Sequence, residues 1–204
     1  MASILKVDTI QDQSGNNIIN ESADTITIGA SGDTVNIVGR LQNGGTNFLQ
    51  GITMADQWRL TVTLTGTDGD ITANLERVDD ATFSKIGTGM TESSGIFTFP
   101  STGLYQVTQS LTMTAVSDSR ASVYALTSSN SGSTYDEVAR TDITSSTSAS
   151  VRATSSQTTF VNVTNASTFR VKFQTNSFAP SSNVVGSTDY TVSSFTFIRL
   201  GDSV

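Results

Sequence analysis

The side chains with the most chemical potential are the carboxylates between residues 68 and 92: Asp68, Asp70, Glu76, Asp79, Asp80 and Glu92. Two carboxylates at the right separation cleave glycosidic bonds, one as acid and one as base or nucleophile. Asp68-Gly69-Asp70 and Asp79-Asp80 also offer hard oxygen ligands for calcium. Neither has the full loop pattern or the closing Glu of a calcium-binding hand. Asp and Gly are ordinary turn formers, and most carboxylates are solvated, so turns and surface charge account for each of them. Ser84-Lys85 places a nucleophile beside an amine, with no supporting motif. The chain has no His and no Cys. Their absence removes the common triads, the commonest metal ligand and the near-neutral pH switch. No phosphate-binding loop, dinucleotide fingerprint or zinc spacing is present. The expectation is a protein with no catalytic residue, no cofactor and no metal, and so not an enzyme.

Recognition suits the composition better. Ser/Thr/Asn/Gly-rich loops fall at residues 128–135, 145–150 and 178–187. Loops held on a rigid scaffold are where binding residues concentrate. Tyr135 and Phe178 are the rings there that could stack on a sugar; the alternative is one anchoring aromatic per exposed loop. The net charge of −7 and a pI near 4.4 oppose phosphate backbones, so nucleic acid is not expected as a partner. No apolar run is long enough to span a bilayer, so no membrane insertion is expected. No secretory signal is read at the N-terminus; release by cell lysis fits that reading.

Strands must position these loops. The run 94–107 holds Phe97 and Phe99 on one face, then Pro100, then Gly103 and a long strand with Tyr105, Val107, Leu111, Met113 and Ala115 on one parity. Gln109 is the exception on that face. Pro100 marks where a ladder stops, and Gly103 marks a backbone shape closed to side chains. Trp58, Leu60, Val62 and Leu64 share a parity and predict a strand over 58–64. Short strands follow at 71–78 and 83–86, then at 120–127, 138–143, 158–163 and 169–174. The last strand, 190–200, is apolar on both faces: Phe195 and Phe197 on one, Ile198 and Leu200 on the other. A strand apolar on both sides is buried on both sides. Either a neighbouring subunit covers the second face or the strand lies kinked between two sheets. About eight to ten strands without helical periodicity predict an all-β, antiparallel jelly-roll sandwich. A hydrophobic fraction of 36% is low for a self-sufficient core, and identical partners would supply the difference. Tyr190, Phe195, Phe197 and Ile198 are the expected trimer interface.

The N-terminal part, 1–51, opens with an apolar cluster, Ile4, Leu5, Val7 and Ile10, which reads as an anchor. Asp24-Thr25-Ile26-Thr27-Ile28-Gly29 is then echoed nine positions on by Asp33-Thr34-Val35-Asn36-Ile37-Val38-Gly39. Two such units do not bury an apolar face alone. Three chains wound into a β stem would supply the missing faces; one small hairpin packed on the main domain is the alternative. Asn43-Gly44-Gly45-Thr46-Asn47 is a joint, and residues 52–204 form the second domain.

The aromatic strand, Pro100, Gly103 and Tyr105 opening a long strand resemble the middle signature of the complement/tumour-necrosis-factor jelly roll. The runs 56–60, 76–79 and 86–97, with the opening Met1-Ala2-Ser3-Ile4-Leu5-Lys6-Val7-Asp8-Thr9-Ile10-Gln11-Asp12, resemble structural proteins of tailed phages of marine and freshwater bacteria. The resemblance implies a homotrimer whose last strand lies near a threefold axis. It further implies a virion fibre or spike anchored to tail, neck or capsid proteins, with a knob directed at a host cell-surface glycan. Alternatives are a capsid or neck decoration protein without receptor role, a secreted lectin-like trimer, and a glycan-degrading tailspike.

Overall fold

The computed structural model describes residues 9–11, 13–14, 17–22, 25–28, 31–36, 42–43, 46–47, 51–66, 68–79, 81, 85–117, 120–146 and 149–204. Two compact units make up the chain, Met1–Gln50 and Gly51–Val204. In the first, β1 (Thr9–Gln11), β2 (Asn17–Ser22) and β3 (Thr25–Ile28) form an antiparallel sheet in that order. A two-residue antiparallel pairing follows, β4 (Gln42–Asn43) with β5 (Thr46–Asn47). The first repeat copy is β3, paired with β2. The second copy differs from expectation: its described residues, 33–36, lie outside any strand and are exposed. Of the expected anchor, Ile10 lies in β1 and is exposed; Ile4, Leu5 and Val7 lie outside the described residues.

The second unit is an antiparallel two-sheet sandwich with no helix among the described residues. Its strands are β6 (Met54–Leu60), β7 (Leu64–Thr65), β8 (Gly69–Asp70), β9 (Leu75–Arg77), β10 (Lys85–Ile86), β11 (Thr91–Ser93) and β12 (Ile96–Thr98), then β13 (Gly103–Val116), β14 (Ala121–Ser128), β15 (Asp136–Ile143), β16 (Ser150–Val163), β17 (Arg170–Asn176), β18 (Asn183–Val184) and β19 (Ser194–Gly201). The larger sheet runs β10-β6-β19-β13-β18-β7, with β16 on the other side of β13 and β9 on β6. The smaller runs β11-β12-β17-β14-β15, with β8 on β17.

β13 follows its sequence pattern: inward and outward residues alternate along all 14 positions. Gln109 keeps the inward parity, and its Nε2 donates to the Val123 carbonyl, 3.0 Å away, which offsets part of the cost of burying the amide; its Oε1 is buried without a partner. Gly103 has φ +151°, and a Cβ there would collide with Arg199 Nε and the Gly201 carbonyl. Ser94 and Gly95 both have positive φ, 51° and 81°, as a two-residue hairpin turn requires. That turn joins β11 to β12.

An aromatic cluster bridges the sheets. Trp58 meets Phe97 edge-on at 5.4 Å between centroids, Phe97 meets Phe197 at 5.1 Å, and Phe173 stacks on Phe195 at 4.0 Å. Trp58, Phe195 and Phe197 come from the larger sheet, Phe97 and Phe173 from the smaller. Here the sequence expectation needs correction. Phe195 and Phe197 are both 0% exposed within a single chain and have no surface left for a partner. The parity was legible; which face met the core was not, and the larger rings went inward because they fill the gap between sheets.

Strand bounds also moved. β6 begins at Met54 and ends at Leu60, where Thr61 N–H turns to the Asn74 carbonyl at 2.8 Å. Val62, expected in that strand, is exposed. β16 begins at Ser150, eight residues before the expected start, and pairs with β13 over its whole length. The loop expected at 178–187 contains β18, which is sewn between β13 and β7.

Candidate binding surface

The carboxylates singled out by chemistry are engaged in local structure. Asp68 Oδ1 accepts the Phe178 N–H at 2.9 Å. Asp70 accepts Lys172 Nζ at 2.8 Å on one oxygen and Gln174 Nε2 at 3.0 Å on the other. Glu76 pairs with the buried Arg59 at 2.9 Å, with Asp79 3.5 Å from the same guanidinium. Glu92 Oε1 accepts the Gly95 N–H and closes the hairpin turn. Asp80 and Ser84 lie outside the described residues. Among the described residues no group of three or more His, Cys, Asp or Glu is placed to hold a metal ion.

Sequence reasoning missed the most elaborate polar cluster. Asp56, wholly buried, accepts Arg77 Nε (2.9 Å) and Nη2 (3.2 Å), Trp58 Nε1 (3.1 Å) and the Met90 N–H (2.7 Å). Arg77 returns a hydrogen bond to the Met90 carbonyl and lies 4.6 Å over the Trp58 ring. Gly89 leaves room for the carboxylate, since a Cβ there would strike it. This network fastens residues 77 and 90 to β6. Nothing in the local sequence announces it, because the partners are 21 and 34 positions away.

The expected ligand loops are stiffer than their composition implies. In the 128–135 loop, Ser128 Oγ accepts N–H groups of Asn130 (3.2 Å) and Gly132 (3.0 Å), and Asn130 Oδ1 accepts the Thr134 N–H at 3.0 Å. Tyr135 is half-buried, with Lys172 Nζ 4.3 Å over its ring. Phe178 is half-buried against the core. Lys172 thus covers one face of the Tyr135 ring, and part of the Phe178 ring packs on the core. The 145–150 segment is tied where described: Ala149 N–H donates to Ser146 and its carbonyl accepts from Ser117. On β15, the Asp142 carboxylate 2.9 Å from Arg140 raises that guanidinium's pKa.

The uncovered surface is the outward face of the larger sheet. Register places Phe160 opposite Gln106, Gln106 opposite Ile198, Ile198 opposite Ala55, and Ala55 opposite Ile86. One row thus crosses five strands. Phe160 is 62% exposed and Ile86 43%; Leu200, at the bulge opposite Leu104, is 50% exposed. Phe160 and Leu200 thus leave half or more of their surface open to solvent in the single chain. Beside the apolar row the face turns to hydroxyls. Thr108 and Thr158 meet at 2.8 Å, Thr112 and Thr154 at 2.7 Å, and Gln57 Nε2 donates to Thr196 at 3.0 Å. Of the residues expected at an interface, Ile198 is on this row. Tyr190 is 64% exposed but lies before β19, off the sheet. Phe160 was missed, although its parity against Val161 and Val163 was available to find it.

This architecture is a jelly roll of the tumour-necrosis-factor type. Eiger TNF from S. frugiperda superposes with a TM-score of 0.56 at 11% identity, over 76% of this chain and 96% of that one. Murine APRIL at pH 5.0 gives 0.53 at 10% identity, over 72% and 98%. Identities this low speak to the fold alone. No protein-family profile matches the chain, and no curated protein matches it.

Proposed function

We propose that the chain is a non-enzymatic structural protein of a tailed-phage particle, working as a homotrimer. Three copies close over the outward face of the larger sheet, covering Phe160, Ile198, Leu200 and Ile86. The N-terminal unit attaches to other virion proteins of the tail, neck or capsid, and the jelly roll is presented to the host surface. The observation that carries the assembly is the row crossing five strands, apolar at four of its five positions with Gln106 the exception, and with Phe160 62% exposed. The sequence resemblance at residues 1–12 and 56–97 supports the virion setting. Every described carboxylate of the 68–92 group accepts a hydrogen bond or pairs with an arginine, which supports a role without catalysis.

Light scattering on the purified chain tests the assembly: the expected mass is three times 21.5 kDa. An antibody against the chain should label purified virions. A second reading, decoration without receptor role, draws on Tyr135 and Phe178 both being engaged within the fold. Cell-binding assays with the purified trimer separate the two, and glycan-cleavage assays should give no product.

A further inference from the structure

A cleft of about 210 Å³ opens between β7, β8 and the segment that follows β8. Its walls combine two kinds of surface. Leu64, Ile71 and Ala73 are apolar, while Asp68, Asp70 and Thr175 are polar. The carboxylates are held from behind. The Phe178 N–H fixes Asp68, and Lys172 with Gln174 fixes Asp70. A carboxylate offers about four lone-pair positions, so roughly three remain on Asp68 and two on Asp70. The Lys172 ammonium already balances the charge of Asp70 at 2.8 Å. Thr175 donates its hydroxyl to the Gly69 carbonyl at 3.1 Å, which stiffens the β8 wall. Gly69 has φ +141° with open space where a Cβ would stand.

Fixed acceptors beside an apolar wall suit a ligand with several hydroxyl donors and a C–H face. An anion would meet the uncompensated Asp68 carboxylate and be repelled. A cation would find Asp70 already paired and no third acidic ligand among the described residues. The volume lies below the ~300 Å³ at which drug-sized pockets begin, which suits a single ring.

We propose that this cleft is a subsite for a single neutral pyranose, with Asp68 and Asp70 accepting its hydroxyl protons and Leu64 and Ala73 beside its C–H face. It deepens the host-surface reading above and rests on that reading for its biological partner, though not for its chemistry. Weak single-ring binding repeated three times in a trimer would gain by avidity.

The test uses the full chain and the methyl glycosides of glucose, galactose and mannose, followed by saturation-transfer NMR, with calcium chloride alone as a separate arm. At least one glycoside should bind saturably in the millimolar range. Ala73→Trp, at an exposed rim position, should abolish the signal without lowering the melting temperature; Thr72→Trp serves if it does. Asp68→Asn keeps an acceptor for the Phe178 N–H and should weaken binding about tenfold. No binding by any glycoside, binding untouched by both rim variants, or a response to calcium alone would each overturn the assignment. A trimer whose adhesion to host cells survives Ala73→Trp sinks the cleft and spares the adhesion reading. A chain that binds the sugar but not cells does the reverse.

Discussion

Replacing Phe160 by serine separates folding from assembly. With 62% of its surface open in the single chain, about 120 Å² of a ~200 Å² side chain is free for a partner to cover. At ~25 cal/mol per Å² that is at most about 3 kcal/mol per copy. A trimer contains three copies, so assembly loses up to about 9 kcal/mol, or roughly six powers of ten in its dissociation constant. The fold of each copy should barely notice. Phe160 lies on the outward face of β16 among Ser and Thr, and surface changes of this kind fall within about 0.5 kcal/mol. Sedimentation equilibrium across a hundredfold range of concentration reads the first effect, and a urea melt of the dissociated chain reads the second. The expected result is a folded monomer at concentrations where the parent chain is a trimer. A variant that remains fully trimeric, or a parent chain that is itself a monomer throughout, refutes the reasoning.

Phe195→Ala and Phe197→Ala should behave oppositely, each costing about 3–5 kcal/mol of folding stability through a core cavity, read by urea melts of the monomeric background. Asp56→Ala strands the Trp58 and Met90 N–H groups and the Arg77 guanidinium; a loss of about 3–5 kcal/mol is expected, a fall of roughly 10 °C in melting temperature. Gly95→Ala should destabilise by more than about 1 kcal/mol, since its φ is +81° and a Cβ would strike the Ile71 carbonyl. Ser94→Gly, one position earlier at φ 51°, should be neutral or stabilising in the same melt.

What could be read from the sequence was what hydrophobic contrast encodes. β13 was legible because six of its seven inward positions, Gly103 through Ala115, are apolar or small against mostly polar neighbours, and Gln109 stood out as the exception it is. The two-faced character of the last strand was legible too, but its assignment needed the second sheet, which alone shows that Phe173 and Phe97 receive Phe195 and Phe197. β16 from Ser150 to Gln157 was invisible. Its Ser and Thr residues carry no apolar alternation, and its register comes from β13 beside it. β18 was hidden in a loop composition because a two-residue strand is defined by its neighbours alone. Asp56 could not be found, since its burial is made tolerable above all by Arg77 and Met90, 21 and 34 positions away, with Trp58 of the same strand adding a third donor. Asp68-Gly69-Asp70 lines the cleft, and the Phe178 N–H at the start of the 178–187 segment holds Asp68 there. Both were noticed in the sequence, but nothing there joins them.

The threonine pairs on the outward face have a consequence of their own. Thr108 with Thr158, and Thr112 with Thr154, hold each other's hydroxyls across neighbouring strands. Groups that answer one another this way depend less on solvent. Lowering water activity, by concentrated salt, crowding or drying, strands few donors there, and this part of the sheet should keep its geometry when the surroundings turn nearly anhydrous.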